Sequence, residues 1–383
     1  MTQFNDNKCL NHYYNFVSNS ILFIFIFVSK RKTKVAIIFN EAQPDFYVKS
    51  VEHEIKELDF IPYFEVEELT PIEEYELMAE KLCKSGLEAY PLNIFDNLGI
   101  LLKDIKNNRP DVIFNFMELF KENSRLEMNI VGILELLGVP YTGAPPMALA
   151  NCQSKVLAKR ILNSYGIRTA RFILIKKAAK RYIHDLNYPL IIKPAFEDAS
   201  VGIENNSIVE DAKSLRDRVN YILTVFQQPA LVEEYIEGRE LNVAVIGDRD
   251  PAALPISEID FTEMPDHLYN IVSYQAKWDP NDEAYHKTIP SCPAKLPKKI
   301  ERRAKEIAVE AFKIMGCRDY ARIDMRLSRD NKLYVLEVNP NPDLTESAGF
   351  MRSAEAGGYS YIKALKKIIS FAKLRGKLSG NIN

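Results

Sequence analysis

Cysteine is scarce in this chain: Cys9, Cys83, Cys152, Cys292 and Cys317 are the only ones among 383 residues. None forms a CxxC pair, and an odd number does not suit a disulfide framework, which argues against a stapled scaffold. A reduced, cytoplasmic setting is the simplest reading. The five histidines show no HxH or HExxH spacing. That argues against zinc chemistry and leaves a hard cation held by carboxylates as the expected metal. A dominant charge is missing too. With 50 basic and 52 acidic side chains the net charge is −2, so no global field draws the chain to nucleic acid or an anionic membrane. The GxxxxGK[ST] phosphate loop is absent. The apolar run Ile21 to Val28 is too short to span a bilayer as a helix. It lacks a preceding basic region and a small-residue cleavage site, so it reads as an extra leader rather than a signal peptide or membrane anchor.

What is present is an ordinary globular balance, 47% hydrophobic and 27% charged. The length fits two or three compact units, starting near Lys34. Lys34 to Asn40 reads as a buried strand, Val48 to Leu58 as a helix, Tyr75 to Ser85 as a helix, and Leu87 to Leu92 and Val112 to Phe116 as strands. Arg125 to Leu137 reads as a helix closed by Gly138, and Val139 to Thr142 begins another strand. Strands alternating with helices imply a mainly parallel sheet covered on both faces. Further on, Ser154 to Tyr165 and Ile300 to Met315 read as helices, and Pro189 to Lys193, Leu231 to Tyr235 and Leu241 to Ile246 as strands. Arg322 to Leu327 and Lys332 to Val338 form an expected antiparallel pair around the Ser328 to Asn331 turn. The basic stretch near Lys366 to Lys377 alternates with apolar residues and reads as an amphipathic surface helix, not a nucleic-acid site.

Chemistry concentrates at strand ends. Strand alternation places Tyr334, Leu336 and Val338 on one face, and Leu333, Val335, Glu337 and Asn339 on the other. With Asp324 on the partner strand, Glu337 and Asn339 make a hard-oxygen set of the kind Mg²⁺ takes while keeping positions for phosphate oxygens. Taken alone, they read as well as ordinary strand-end and turn residues. Pro189 to Pro194 delivers Lys193 at the end of an apolar strand, where an ammonium needs an anionic partner. The small-residue loop Phe196 to Gly202 follows, able to turn N–H groups onto phosphates. Lys155 opens a helix. Glu233, the Glu234–Tyr235–Ile236 backbone and Glu240 suit a nucleotide hinge, although a charged strand end explains them equally well.

In order, Pro140 to Ala144, Ser154–Lys155, Ile192–Lys193–Pro194, Ser200 to Gly202, Glu233 with Glu240, Gln275 to Lys277, Arg322 to Asp324 and Glu337 to Asn339 resemble the D-alanine–D-alanine ligase branch of the ATP-grasp superfamily. The likeness runs from about Lys34 to Leu374. It implies an α/β chain, α+β in its C-terminal part. A doubly wound pre-ATP-grasp domain (34–148) precedes a central subdomain with a phosphate lid loop (149–238) and a C-terminal subdomain with the metal site (239–376). Residues 1–33 are a leader and 377–383 a tail. The resemblance also implies ATP, with Lys155, Lys193 and Lys277 at its phosphates and Glu233, Glu234, Tyr235, Ile236 and Glu240 at adenine and ribose. Asp324, Glu337 and Asn339 would hold two Mg²⁺ ions, with Mn²⁺ an admissible substitute. Arg322, Lys193 and Ser200 form the catalytic group, Arg322 stabilising charge on an acyl phosphate. Small carboxylate and amine substrates are implied, and homodimers are usual in that branch.

Departures from the branch fall on the amino-acid site. Ala199 replaces the lid serine, Trp278 the tyrosine after the Ala–Lys pair, Asp343 a glycine, and Ala348 a serine that holds the acceptor carboxylate. Asp45 stands at the position of an N-terminal Glu. Ala199 has no polar side chain and Trp278 can only donate. Glu118 and Arg125, at and after a strand end, are further substrate candidates, with a helix-capping or surface pair as the competing reading. The expectation is unchanged activation chemistry on a different substrate. D-alanine–D-alanine ligation itself and a non-catalytic nucleotide-binding protein are the alternatives.

Overall fold

A computed structural model describes residues 31–41, 70–197, 200–279 and 281–379. Most of the expected leader, the Val48 to Leu58 helix, Asp45 and Ala199 lie outside them.

The first sheet is parallel, in the order β2-β1-β3, from β1 (Lys34–Phe39), β2 (Glu88–Asn93) and β3 (Val112–Asn115). Both faces of β1 are buried. Val35, Ile37 and Phe39 join one core, and Ala36 and Ile38 the other. This is why the strand reads as a continuous apolar run. Helix α1 (Pro71–Lys84) starts earlier than apolar spacing alone suggests. Thr70 and Glu73 form a capping box there, with Pro71 in the first turn. Helix α2 (Leu98–Asn108), capped by Asn97, was not foreseen. Helix α3 (Glu127–Leu136) follows a 3₁₀ turn, Ser124–Leu126.

The strand expected from Val139 is only a bridge, Tyr141 opposite Ile113. Ile113 N–H donates to the Pro140 carbonyl and Thr142 N–H to that of Ile113. The N–H of Asn115 then goes to the Thr142 hydroxyl rather than to a main-chain oxygen. That side-chain bond ends the ladder.

Helices α4 (Pro146–Gln153) and α5 (Lys155–Ser164) lead into an antiparallel sheet, β4-β7-β5-β6. Its strands are β4 (Phe172–Ile175), β5 (Leu190–Pro194), β6 (Ile208–Val209) and β7 (Ala230–Glu234), and α6 (Ala212–Val225) covers it.

The third sheet runs β11-β10-β8-β12-β13, with β9 beside β8. Its strands are β8 (Gly238–Gly247), β9 (Ala252–Ala253), β10 (Ser257–Asp260), β11 (Ile289–Ser291), β12 (Asp319–Ser328) and β13 (Leu333–Asn339). Short helices α7 (Tyr274–Trp278) and α8 (Glu283–Lys287) lie between β10 and β11. One face of β12, Ala321, Ile323, Met325 and Leu327, packs into a core with α9 (Lys298–Ile314). The opposite face carries Arg322, Asp324 and Arg326. Gly238 opens β8 at φ +147°, and a Cβ there would meet the Leu327 carbonyl oxygen at 2.1 Å. Only glycine allows β8 and β12 to approach so closely.

Helices α10 (Gly349–Ala356) and α11 (Tyr361–Ser379) close the chain, and α11 shares a core with β1 and β3. Arg375 on α11 ties three segments together. It pairs with the fully buried Asp319 (Nη2–Oδ2 2.7 Å), contacts Asp248 at 3.2 Å and donates to the Tyr141 carbonyl at 2.9 Å. Arg375→Met removes the paired cation from the buried Asp319 carboxylate, which keeps the Gly143 N–H and the more distant Arg318. It should lower unfolding free energy by about 3–5 kcal/mol in urea titration. Among the described residues, no helix is long and apolar enough to cross a membrane.

Candidate active site

The third sheet presents a polar face built by register. Asn242 on β8, Asp324 on β12 and Glu337 on β13 stand side by side across three strands. The next row is Ala244, Arg322 and Asn339, and Arg326 stands opposite Glu240. The sequence reading grouped Glu337 and Asn339 with Leu333 and Val335, and this face assignment is wrong. The register shifts beside Asp324, so Asp324 faces Glu337 while Met325 faces Val335, leaving Leu336 as an extra residue. The bulge reverses the alternation. Leu333, Val335 and Val338 all enter the core, whereas Glu337 and Asn339 do not.

Each acid on this face has a basic neighbour. Arg322 grips Asp324 with two hydrogen bonds, Nε–Oδ1 at 2.8 Å and Nη2–Oδ2 at 2.7 Å, and Asn242 donates to Oδ1 at 2.8 Å. The bidentate geometry fixes both side chains. Lys155 Nζ lies 3.4 Å from Glu337 Oε2. Arg326 pairs with Glu240 at 2.9 Å and donates to the Gly238 and Asn270 carbonyls. Burial would raise the Glu337 pKa, but Lys155, Arg322, Lys193 and Lys277 outweigh it and hold the carboxyl at about 2. The three lysines expected at the phosphates and Arg322 therefore converge electrostatically on one carboxylate. At Glu240, burial prevails over Arg326 and the pKa is raised. Lys277 on α7 is accessible to solvent. Its ammonium pKa is lowered by the surrounding protein and then by Arg322, with Glu337, Glu118 and Asp324 opposing.

The second sheet supplies the rest. Lys193 at the end of β5 reaches Glu233 on β7 at 3.1 Å, and Lys159 on α5 reaches the same carboxylate at 2.8 Å. At the hinge, Glu234 N–H donates to the Arg171 carbonyl and Tyr235 N–H to that of Pro189. The Glu234 side chain is held by Arg171 and Asn187. An adenine edge would therefore meet other groups of this backbone. Tyr235 Oη donates to the Asn270 carbonyl. In the loop after β5, Ser200 sits at φ +63° and donates its hydroxyl to the Val272 carbonyl at 2.8 Å, while Tyr274 N–H donates to the Ile203 carbonyl. These bonds join the expected lid to the segment carrying Lys277.

The substrate candidates scatter more. Arg125 is exposed, with its guanidinium 5.3 Å from the Phe196 ring of the lid. Glu118 is exposed within electrostatic reach of Lys277 and Tyr75. Trp278 is half exposed, its ring 5.0 Å from Lys277 Nζ. Asp343 accepts from Thr345 N–H at 2.7 Å and from its hydroxyl at 3.0 Å. Ala348 is the N-cap of α10 and makes no side-chain cap bond. Asn341, in the turn after β13, accepts from Tyr320 Oη at 2.7 Å and donates to the Met117 carbonyl and to Glu127. Its N–H donates to Asn339 Oδ1 at 3.0 Å, orienting that amide.

Glu74 on α1 lies within electrostatic reach of Asp343. Burial first, and Asp343 second, push its pKa from the ordinary 4.5 up to about 7. The folded protein thus holds this proton more tightly than the unfolded chain. The group's contribution is present below 4.5 and is lost as pH rises through about 7. Glu74→Gln should stabilise the protein by about 1 kcal/mol at pH 8 and by nothing measurable at pH 4, read by denaturant midpoints at the two pH values.

Three residues of this arrangement escaped the sequence reading: Lys159, Asn242 and Arg326. A signal existed for each. Lys159 lies four residues after Lys155 on one helix face. Asn242 and Arg326 lie two residues after Glu240 and Asp324 on strands.

The donor set suits a hard divalent cation. Among the described residues no three His, Cys, Asp or Glu side chains gather, and this set is instead two carboxylates and the Asn339 amide. Glu337 is held ionised, and Asp324 Oδ2 accepts one bond from Arg322. Oxygen ligands with remaining lone pairs are what Mg²⁺ requires.

The chain also matches known proteins. Residues 161–370 match the family described as D-ala D-ala ligase C-terminus. The D-alanine–D-alanine ligase of Desulforamulus reducens is 30% identical over 71% of this chain and 84% of its own. That of Cupriavidus metallidurans is 33% identical over 63% and 71%. The uncharacterized protein y4sG of Sinorhizobium fredii is 33% identical over 69% and 75%. The crystal structure of D-alanine–D-alanine ligase from Bacillus anthracis complexed with ATP superposes with a TM-score of 0.64 at 24% identity, covering 91% of this chain and all of that one. With its ATP-grasp fold and the match over more than half its length, the chain belongs to the D-alanine–D-alanine ligase family of ATP-dependent C–N ligases.

Proposed function

We propose that this protein activates a small carboxylate, in the setting of an amino acid, with ATP and joins it to an amine. A carboxylate oxygen attacks the γ-phosphorus and ADP leaves. The neutral amine nitrogen then attacks the acyl carbon, phosphate leaves, and a C–N bond replaces the acyl C–O bond. Such phosphoryl transfer needs positioning and charge neutralisation more than covalent help. Arg322, Lys155, Lys193 and Lys277 would neutralise phosphate oxygens. Asp324, Glu337 and Asn339 would hold Mg²⁺, two ions in the fullest reading, and the metal would supply further neutralisation when bound. Glu240 and the 233–236 hinge would take ribose and adenine. Ser200 and the lid would keep water from the acyl phosphate. Three units, 34–148, 149–238 and 239–376, would enclose the site. A cytoplasmic homodimer is the matching cellular form.

The observation that carries this reading is the row Asn242–Asp324–Glu337, with Arg322 on Asp324 and Lys155 reaching Glu337. Trp278, Asp343 and Ala348 favour an amino-acid pair other than two D-alanines. A panel of amino acids and amines, read by ADP release and product mass, is the test. ADP release with a new amide mass supports the reading. D-alanyl-D-alanine as the preferred product returns the protein to the family's eponymous reaction. ATP binding without turnover of any pair makes it a non-catalytic nucleotide binder.

A further inference from the structure

Glu233 is 1% exposed and shared by two lysines of different character. Lys193 is partly exposed at the end of β5 and donates to Oε2. Lys159 is 2% exposed, in the second turn of α5, with the Phe172 ring 6.0 Å away. Its Nζ lies 2.8 Å from Oε1 but is poorly aligned for a hydrogen bond, and among the described residues neither atom has another hydrogen-bond partner. Burial lowers the Lys159 pKa, and Glu233 opposes that. The carboxyl itself is held at about 2, because the two lysines outweigh its burial. A buried carboxylate deprived of every cation is strongly unfavourable.

We propose that Lys159 is a positioning residue for nucleotide phosphate: it keeps the charge of Glu233 compensated, so that Lys193 can leave Glu233 for the phosphates. The proposal rests on the reading that Lys193 binds ATP phosphate. Lys159 itself is too deep to touch the nucleotide and acts only through the shared carboxylate. Without Lys159, Lys193 is the remaining cation on Glu233 among the described residues, and phosphate must compete for it.

The test compares MgATP binding by calorimetry with adenosine binding by competition against a fluorescent ADP. The readout is the ratio of the two affinities. Lys159→Met should lower that ratio by about tenfold or more, as a close charge pair warrants. The double variant Lys159→Met with Glu233→Gln should restore it to within about threefold, because a neutral amide no longer retains Lys193. An unchanged ratio in Lys159→Met, or no recovery in the double variant, overturns the proposal. If Lys159→Met does not fold, Glu233→Gln alone and the double variant decide. With the acid neutral, removing Lys159 should leave the ratio unchanged, and a tenfold fall overturns the proposal. Failure of the wild-type protein to bind MgATP is a different result, and it refutes the phosphate role of Lys193 itself.

Discussion

Replacing Arg322 by methionine should lower kcat for ADP release by about 10³-fold while leaving the KM for ATP within a few-fold. The guanidinium is locked onto Asp324 by two bonds and stands opposite Asn339, so it is already oriented before charge develops on the transferring group. Loss of an interaction made mainly in the transition state falls on kcat. Arg322→Lys should recover little, because an ammonium cannot reproduce the two-pronged grip that orients the charge. Asp324 keeps its bond from Asn242 in either variant, which limits collateral disorder. Steady-state kinetics decide the matter: a kcat loss below about tenfold would remove Arg322 from the charge-stabilising role.

Glu337→Gln should reduce turnover by about 10²-fold at limiting Mg²⁺, with partial recovery as the metal is raised. The amide keeps shape and one oxygen but removes the charge toward which Lys155, Arg322, Lys193 and Lys277 all pull. The metal midpoint should therefore move more than the ATP midpoint. The wild-type carboxyl is depressed to about 2, below its ordinary 4.5. Its stabilising contribution is present above 4.5 and lost as pH falls toward 2. Glu337 should consequently stay ionised from pH 4 upward, and any acid limb in the rate above pH 4 must come from another group. An unshifted metal midpoint in Glu337→Gln would dissociate this residue from cation binding.

Much of this site could be read from text because strands write their faces in alternation. Arg322, Asp324, Glu337 and Asn339 were legible as strand residues, and the two strands pair as their turn suggests. The bulge at Leu336 was not legible. One extra residue reverses every face beyond it, and apolar residues on both sides of the bulge conceal the change. Lys159 carried a spacing signal, but its burial did not show. Lysine on a helix is normally solvated, and only tertiary packing against β7 makes it a buried counterion. Residues 139–142 looked like a strand because their composition is strand-like, yet the Thr142 hydroxyl takes the N–H that would have extended the ladder. The short helices α7 and α8 exceed what periodicity can resolve, since five residues give little more than one turn.

Asn341 constrains how this protein could be recombined. Its amide reaches back to Met117 and Glu127, its oxygen receives the Tyr320 hydroxyl, and its own N–H steadies Asn339. A chimera with its crossover near residue 145 would bring a foreign segment against that amide. Unless the incoming half offered a carbonyl and a carboxylate in the same places, Asn341 would lose its anchors and loosen the amide of Asn339. Grafting a new amino-acid preference from a cousin should therefore succeed more often when residues 117, 127 and 341 travel together.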